Sequence, residues 1–123
     1  MYRSINAREK KWIYKLLDVE FKGKEILLNQ ILQSEVECDQ QYAYISLHFK
    51  VENTAPQYPY RVRVPVEMRA FQEGSTPIIF LLHVMDGYIN ELEIVSAALT
   101  WICEDKIDFT EVVYEIASEV KRD

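Results

Sequence analysis

Hydrophobic positions recur along this chain with two different periods. Near the start they return every three or four residues, as on one face of a helix, and from the middle onward every second residue, as on one face of a strand. Over residues 7–18, Trp12, Ile13, Leu16 and Leu17 make one apolar stripe while Arg8, Lys11 and Lys15 take the other side, which predicts an amphipathic helix. Asn6 supplies an N-cap acceptor and Glu9, three residues on, completes a capping box. Phe21-Lys-Gly23 ends that unit. A second helix is expected over about 24–33, with Leu27, Leu28, Ile31 and Leu32 inward and Glu25 in the first turn, where an acid complements the helix dipole.

Val36 and Cys38 begin a short strand or lead-in. Over 42–51 the alternation is clean: Ala43, Ile45, Leu47, Phe49 and Val51 on one face, Tyr42, Tyr44, Ser46, His48 and Lys50 on the other. That predicts a sheet with one wet or partner-facing side. Residues 52–59, stiffened by Pro56 and Pro59, read as a loop. A second alternating strand is expected over 60–70, with Val62, Val64, Val66 and Met68 inward and Pro65 arguing for an edge or a bulge. Residues 72–76 read as a turn. The nearly continuous apolar run 78–85 predicts a central strand covered on both faces. Asp86-Gly87 then turns the chain into a returning strand over 88–94, with Tyr88, Leu92 and Ile94 on one side and Ile89, Glu91 and Glu93 on the other. Trp101 and Ile102 are expected to plug the core edge. Asp108 and Glu111 read as another capping box ahead of Phe109, Val112, Val113, Ile116, Ala117 and Val120, predicting a helix over 109–120. The expected fold is a single α+β domain over residues 1–123: two N-terminal helices, a four- or five-stranded mainly antiparallel sheet and one C-terminal helix packed on it.

Composition narrows the class. A chain of 123 residues, 49% hydrophobic with three Gly and four Pro, is long enough for one core and argues against disorder. The formal charge of -6 disfavours unaided binding to a nucleic acid backbone. It is unevenly spread: residues 1–24 carry seven Lys/Arg against three acids, whereas 102–123 carry three against seven. Cys38 and Cys103 are too few and too far apart for a disulfide framework or a zinc knuckle. With a charged opening and no signal peptide or membrane span in view, a reducing cytoplasm is expected.

Candidate chemistry is sparse. The sequence holds no Gly-rich phosphate loop, no His-Glu-x-x-His, no Cys-x-x-Cys and no Gly-x-Ser-x-Gly. No catalytic residue, metal site or cofactor is therefore expected. His83, inside the apolar strand, could meet Glu91 or Glu93 across a strand pair as an acid–base set, or simply be a packed, hydrogen-bonded ring. Glu91 and Glu93 share a face and could instead pair with strand arginines or meet solvent. Tyr42, Tyr44, Tyr58, Tyr60 and Tyr88 cluster around the polar side of the sheet and the 52–60 loop. Outward tyrosines flanked by charge call for a covering helix or a partner, because the ring buries area while the hydroxyl finds a mate.

Three segments carry a resemblance: Ser-Ile-Asn-x-Arg-Glu at 4–9, Lys-Glu-Ile-Leu-Leu-x-Gln-Ile at 24–31 and Leu-His-Val-Met-Asp-Gly-Tyr-Ile-x-Glu-Leu-Glu-Ile at 82–94. With them the chain resembles a family of small, functionally uncharacterised bacterial proteins sharing that late hairpin, some of which resemble toxin-immunity proteins. The resemblance implies no catalytic residues and makes Gly87 and Glu91 scaffold positions. The leading expectation is a non-enzymatic domain that binds a basic protein, as an acidic inhibitor or immunity-like partner, through Tyr42, Tyr44, Glu91 and Glu93. The alternatives are a small-molecule-binding or hydrolytic domain with a pocket between sheet and helices near His83 and Glu91, and a structural homodimer.

Overall fold

The N-terminal helix starts where the capping chemistry places it. The Asn6 side chain accepts from the Glu9 backbone amide at 2.8 Å, and the Glu9 carboxylate accepts from the Asn6 amide at 3.0 Å, opening α1 (Ala7–Leu16). Trp12, Ile13, Leu16 and Leu17 are all buried. Gly23, at φ +79°, precedes α2 (Lys24–Leu32). A Cβ there would sit 2.5 Å from a ring carbon of Tyr58, so both the backbone conformation and the space demand glycine.

The computed structural model describes residues 1–72 and 76–122, and beyond the helices the chain builds one sheet. Its strands are β1 (Ser34–Gln41), β2 (Tyr44–Val51), β3 (Val66–Gln72), β4 (Thr76–Met85), β5 (Tyr88–Ser96) and β6 (Ile107–Ile116). They lie in the order β1-β2-β5-β4-β3-β6, and every neighbouring pair is antiparallel. The expected tight hairpin joins β4 to β5, with Asp86 at φ 53° and Gly87 at φ 83°, as a two-residue turn between right-twisted strands requires. The expected turn over 72–76 falls mostly outside the described residues.

Both helices pack on the same face of the sheet. Leu16, Leu27 and Ile31 join Ile45, Leu47, Phe80, Leu82 and Leu92 in one core. Gln30 is also fully buried there. Its amide donates to the carbonyls of Pro56 and Gly87 at 2.9 and 2.8 Å, and its oxygen accepts from the Ile89 amide at 2.9 Å. One side chain thus bonds three backbone groups where the 52–65 loop and the β4–β5 turn pass under α2, and the Pro56 carbonyl and Ile89 amide among them would otherwise be costly to bury.

The largest departure from expectation is at the C-terminus. Residues 107–116 form the edge strand β6, giving six strands, and among the described residues only a short 3₁₀ turn at Ser118–Val120 follows. Ile107, Thr110, Val112, Val113 and Ile116 are β-branched, and Phe109 and Tyr114 add aromatic bulk, which favours a pleated surface. The pairing of β6 with β3 shifts register between Arg69 and Phe71. Thr110 and Glu111 are both exposed there. The inward set therefore slips phase, from Ile107 and Phe109 to Val112, Tyr114 and Ile116, and that slip mimics helical spacing. Asp108 accepts from the Thr110 amide at 2.9 Å and its hydroxyl at 2.7 Å, an Asx turn in place of a helix cap.

Smaller departures have similar causes. β3 starts after Pro65 and lies inside the sheet, so the proline ends a lead-in instead of marking an edge. Leu32 and Trp101 are exposed, 74% and 56%, while Gln30 and Ile102 take the buried places. β4 is internal, yet only one of its faces is covered. Its register with β5 breaks between His83 and Val84, opposite Asn90. That bulge turns Ile89 into the core, away from Glu91 and Glu93, with which strict alternation had grouped it.

Candidate functional site: the uncovered face of the sheet

The face opposite the helices carries the side chains of interest. In the strand register His48 and His83 flank Glu91 from either side, Ser46 and Leu81 flank Glu93, and Tyr44 lies opposite Val95. Ile79, Leu81 and Val95 share this face and are half-buried. Both helices lie on the other side; this face is reached only at its margins, by Arg63 at His83 and by Met1 and Tyr2 at Glu37 and Lys50, among the described residues. Glu35, Glu37 and Asp39 of β1 stand opposite Lys50, His48 and Ser46, and the N-terminal amine pairs with Glu37 at 2.7 Å, so that edge keeps a small excess of acid.

Two hydrogen-bonded chains run across it. In the first, Tyr44 Oη and Ser46 Oγ both donate to Glu91 Oε2, at 2.8 and 2.5 Å, and His48 Nε2 is 2.9 Å from Ser46 Oγ. Because a carboxylate only accepts, the serine proton points to Glu91 and the histidine donates to the serine oxygen. In the second, His83 Nε2 meets Glu93 Oε1 at 2.8 Å, and Arg63 Nε donates to His83 Nδ1 at 3.2 Å.

The first chain has the residue types of a serine nucleophile site in the wrong order. A hydroxyl is activated when histidine takes its proton and a carboxylate orients the histidine. Here the carboxylate holds the serine proton. Burial opposes ionisation of Glu91, but the hydrogen bonds from Ser46 and Tyr44, with both histidines nearby, outweigh it and keep its carboxyl below the usual range. A general base is usually tuned upward toward the working pH, and Glu91 is moved the other way. Tyr44 moves the other way: burial, then its bond to Glu91, raises the phenol above its ordinary value. The arrangement holds side chains in place and does not poise them for proton transfer. Among the described residues, no three His, Cys, Asp or Glu side chains converge as they would around a metal ion.

Of the residues singled out from sequence, Tyr44, Glu91, Glu93 and His83 share this face. Tyr42 does not join their network. It is 68% exposed in the turn between β1 and β2, with its carbonyl accepting from the Ile102 amide at 3.1 Å. His83 and Glu91 sit on the opposite side of the sheet from the helices, away from the sheet–helix interface where a pocket was expected. Sequence reasoning missed Ser46 and Arg63 as members of the site. Ser46, a small polar residue on the wet side of an alternating strand, is 2% exposed, and only the neighbouring strands reveal that.

The class that this geometry defines is a two-layer α+β domain with one sealed and one open sheet face. The chain matches no family model, no curated protein and no solved structure. Cys38 and Cys103 are free thiols, and no helix among the described residues is long and apolar enough to cross a membrane.

Proposed function

We propose that the protein is a non-enzymatic, protein-binding domain whose open sheet face receives a more basic protein, in the manner of an acidic inhibitor or immunity-like partner. One observation carries the reading. Both helices lie on one face, while the other leaves Tyr44, Glu91 and Glu93 beside half-buried Ile79, Leu81 and Val95 without a cover. A tyrosine and aliphatic centre with a charged surround is the make-up of a docking patch, and its acidic side speeds capture of a basic surface. The immunity-like family resemblance and a reducing cytoplasm belong to the same proposal.

Affinity capture with the tagged protein from a lysate of its own host tests it. A single basic protein retained near one-to-one, and lost on Tyr44→Ala or Glu91→Ala at an unchanged thermal midpoint, is the expected result. Capture unaffected by either change would overturn the placement of the surface. A second reading rests on the free edge of β6, where Val113 is 56% exposed: self-association by edge pairing. Light scattering that finds a monomer at high micromolar concentration removes it.

A further inference from the structure

A second candidate site lies where the second of these chains ends. Residues 57–63 run beside the β4–β5 turn and are pinned to it at two points: the Tyr58 amide donates to Gly87 O at 2.8 Å, and the Val84 amide to Arg63 O at 2.7 Å. Between the pins, residues 59–62 span what only Met85 and Asp86 span on the other side, so the longer segment arches away. The arch and the turn enclose an open cleft of about 890 Å³, within the range of small-molecule sites. Tyr60 is one wall, set edge-on to Tyr58 with ring centres 5.3 Å apart.

Arg61 and Arg63 both line this cleft, and neither forms an ion pair among the described residues, in a chain of net charge -6. The sole carboxylate of the lining is Asp86, and it pairs with neither. Arg63 is also aimed. A guanidinium N–H can only donate, so His83 must offer the lone pair of Nδ1 to Arg63 Nε. The proton of the neutral ring is then on Nε2, facing Glu93. Glu93 thereby sets the tautomer of His83, and His83 fixes Arg63, a lining residue of the cleft, through Nε alone, so that its two terminal nitrogens remain available to a ligand. Support of this kind is what orients a group for a ligand.

We infer that the cleft is an anion site: Arg61 and Arg63 grip the oxyanion of a small ligand, phosphoryl or carboxylate, with His83 and Glu93 as positioning residues. Forked guanidinium donors suit both groups. The inference is independent of the protein-docking proposal.

The test is titration of the whole chain with inorganic phosphate and, separately, with citrate, followed by amide and arginine Nε NMR resonances against sodium chloride of matched ionic strength. Saturable shifts confined to residues 57–63 and 84–87 are expected. Saturation by phosphate alone assigns a phosphoryl ligand, and by citrate alone a carboxylate. Arg61→Ala and Arg63→Ala should each weaken binding about tenfold. Asp86→Asn, which keeps a residue tolerant of positive φ, should tighten it about threefold. Glu93→Gln should weaken binding about threefold and shift the Arg63 Nε–H resonance at an unchanged thermal midpoint, which a merely structural carboxylate would not do. Shifts no larger than those with chloride for both anions, or saturable binding that survives both arginine substitutions, would overturn the inference.

Discussion

The two faces of this sheet are built from the same strands, yet they use polar groups in opposite ways. On the helix-covered face Gln30 is enclosed, and all three of its hydrogen bonds go to backbone groups: the Pro56 carbonyl, the Ile89 amide and the Gly87 carbonyl, which the Tyr58 amide also meets. On the open face Tyr44, Ser46 and Glu91 bond to one another, with His48 donating in turn. The first arrangement is a condition of folding, since an unmet backbone group costs free energy wherever it is buried. The second organises a surface that water can still reach, where each bond contributes little to stability. The difference separates what the fold requires from what is left over for recognition.

The comparison breaks most sharply at Gln30. Gln30→Leu preserves bulk but takes the partner from the Pro56 carbonyl and the Ile89 amide, while Gly87 keeps Tyr58, and should destabilise the protein by about 3 kcal/mol, read from the urea midpoint at constant slope. Gly23→Ala comes next. Its φ of +79° and the 2.5 Å approach to Tyr58 predict a loss of about 2 kcal/mol by the same measurement.

A titrating group at the edge of the core gives an intermediate effect. Glu9 is 3% exposed and bonded by Arg3 through both oxygens, at 2.8 and 2.6 Å. Burial opposes its ionisation, but Arg3, the Asn6 amide and Arg8 outweigh it, so its carboxyl titrates below the ordinary value of 4.5. A depressed folded-state pKa adds stability that is complete above the unfolded-state value and is lost as pH falls through the folded one. Thermal midpoints should therefore drop as pH falls below about 4.5, and Glu9→Gln should lower the neutral-pH midpoint while flattening that acid slope. The smallest effect belongs to the open face: Tyr44→Phe removes one half-exposed bond and should shift stability by less than about 1 kcal/mol. A larger loss there would mean that the two faces do not differ as argued.

Local signals made much of this fold readable. The Asn6–Glu9 capping box, the stripe from Trp12 to Leu17 and the Asp86-Gly87 hairpin each depend on residues within a few positions of one another. Gln30 was not read as inward, because the expected stripe of the second helix gave that side to Leu28 and Leu32, and Leu32 is 74% exposed. β6 was misread because its bulge shifts an alternating pattern into helical phase. The site was only half legible. Alternation puts Tyr44 on the wet side of its strand, but its bond to Glu91 exists because β2 lies beside β5, across two intervening strands of sequence. Arg63 reaches His83 through a segment with no regular structure, and no periodicity marks that.

The most direct test of the central claim, that the open face serves recognition while the covered face serves folding, is to measure partner affinity and urea midpoint together on Glu91→Ala and Gln30→Leu. We expect Glu91→Ala to weaken capture of the basic partner about tenfold or more with a nearly unchanged midpoint, and Gln30→Leu to lower the midpoint while the remaining folded protein binds normally. Unaltered binding by Glu91→Ala, or a fall in its midpoint as large as that of Gln30→Leu, would contradict the account.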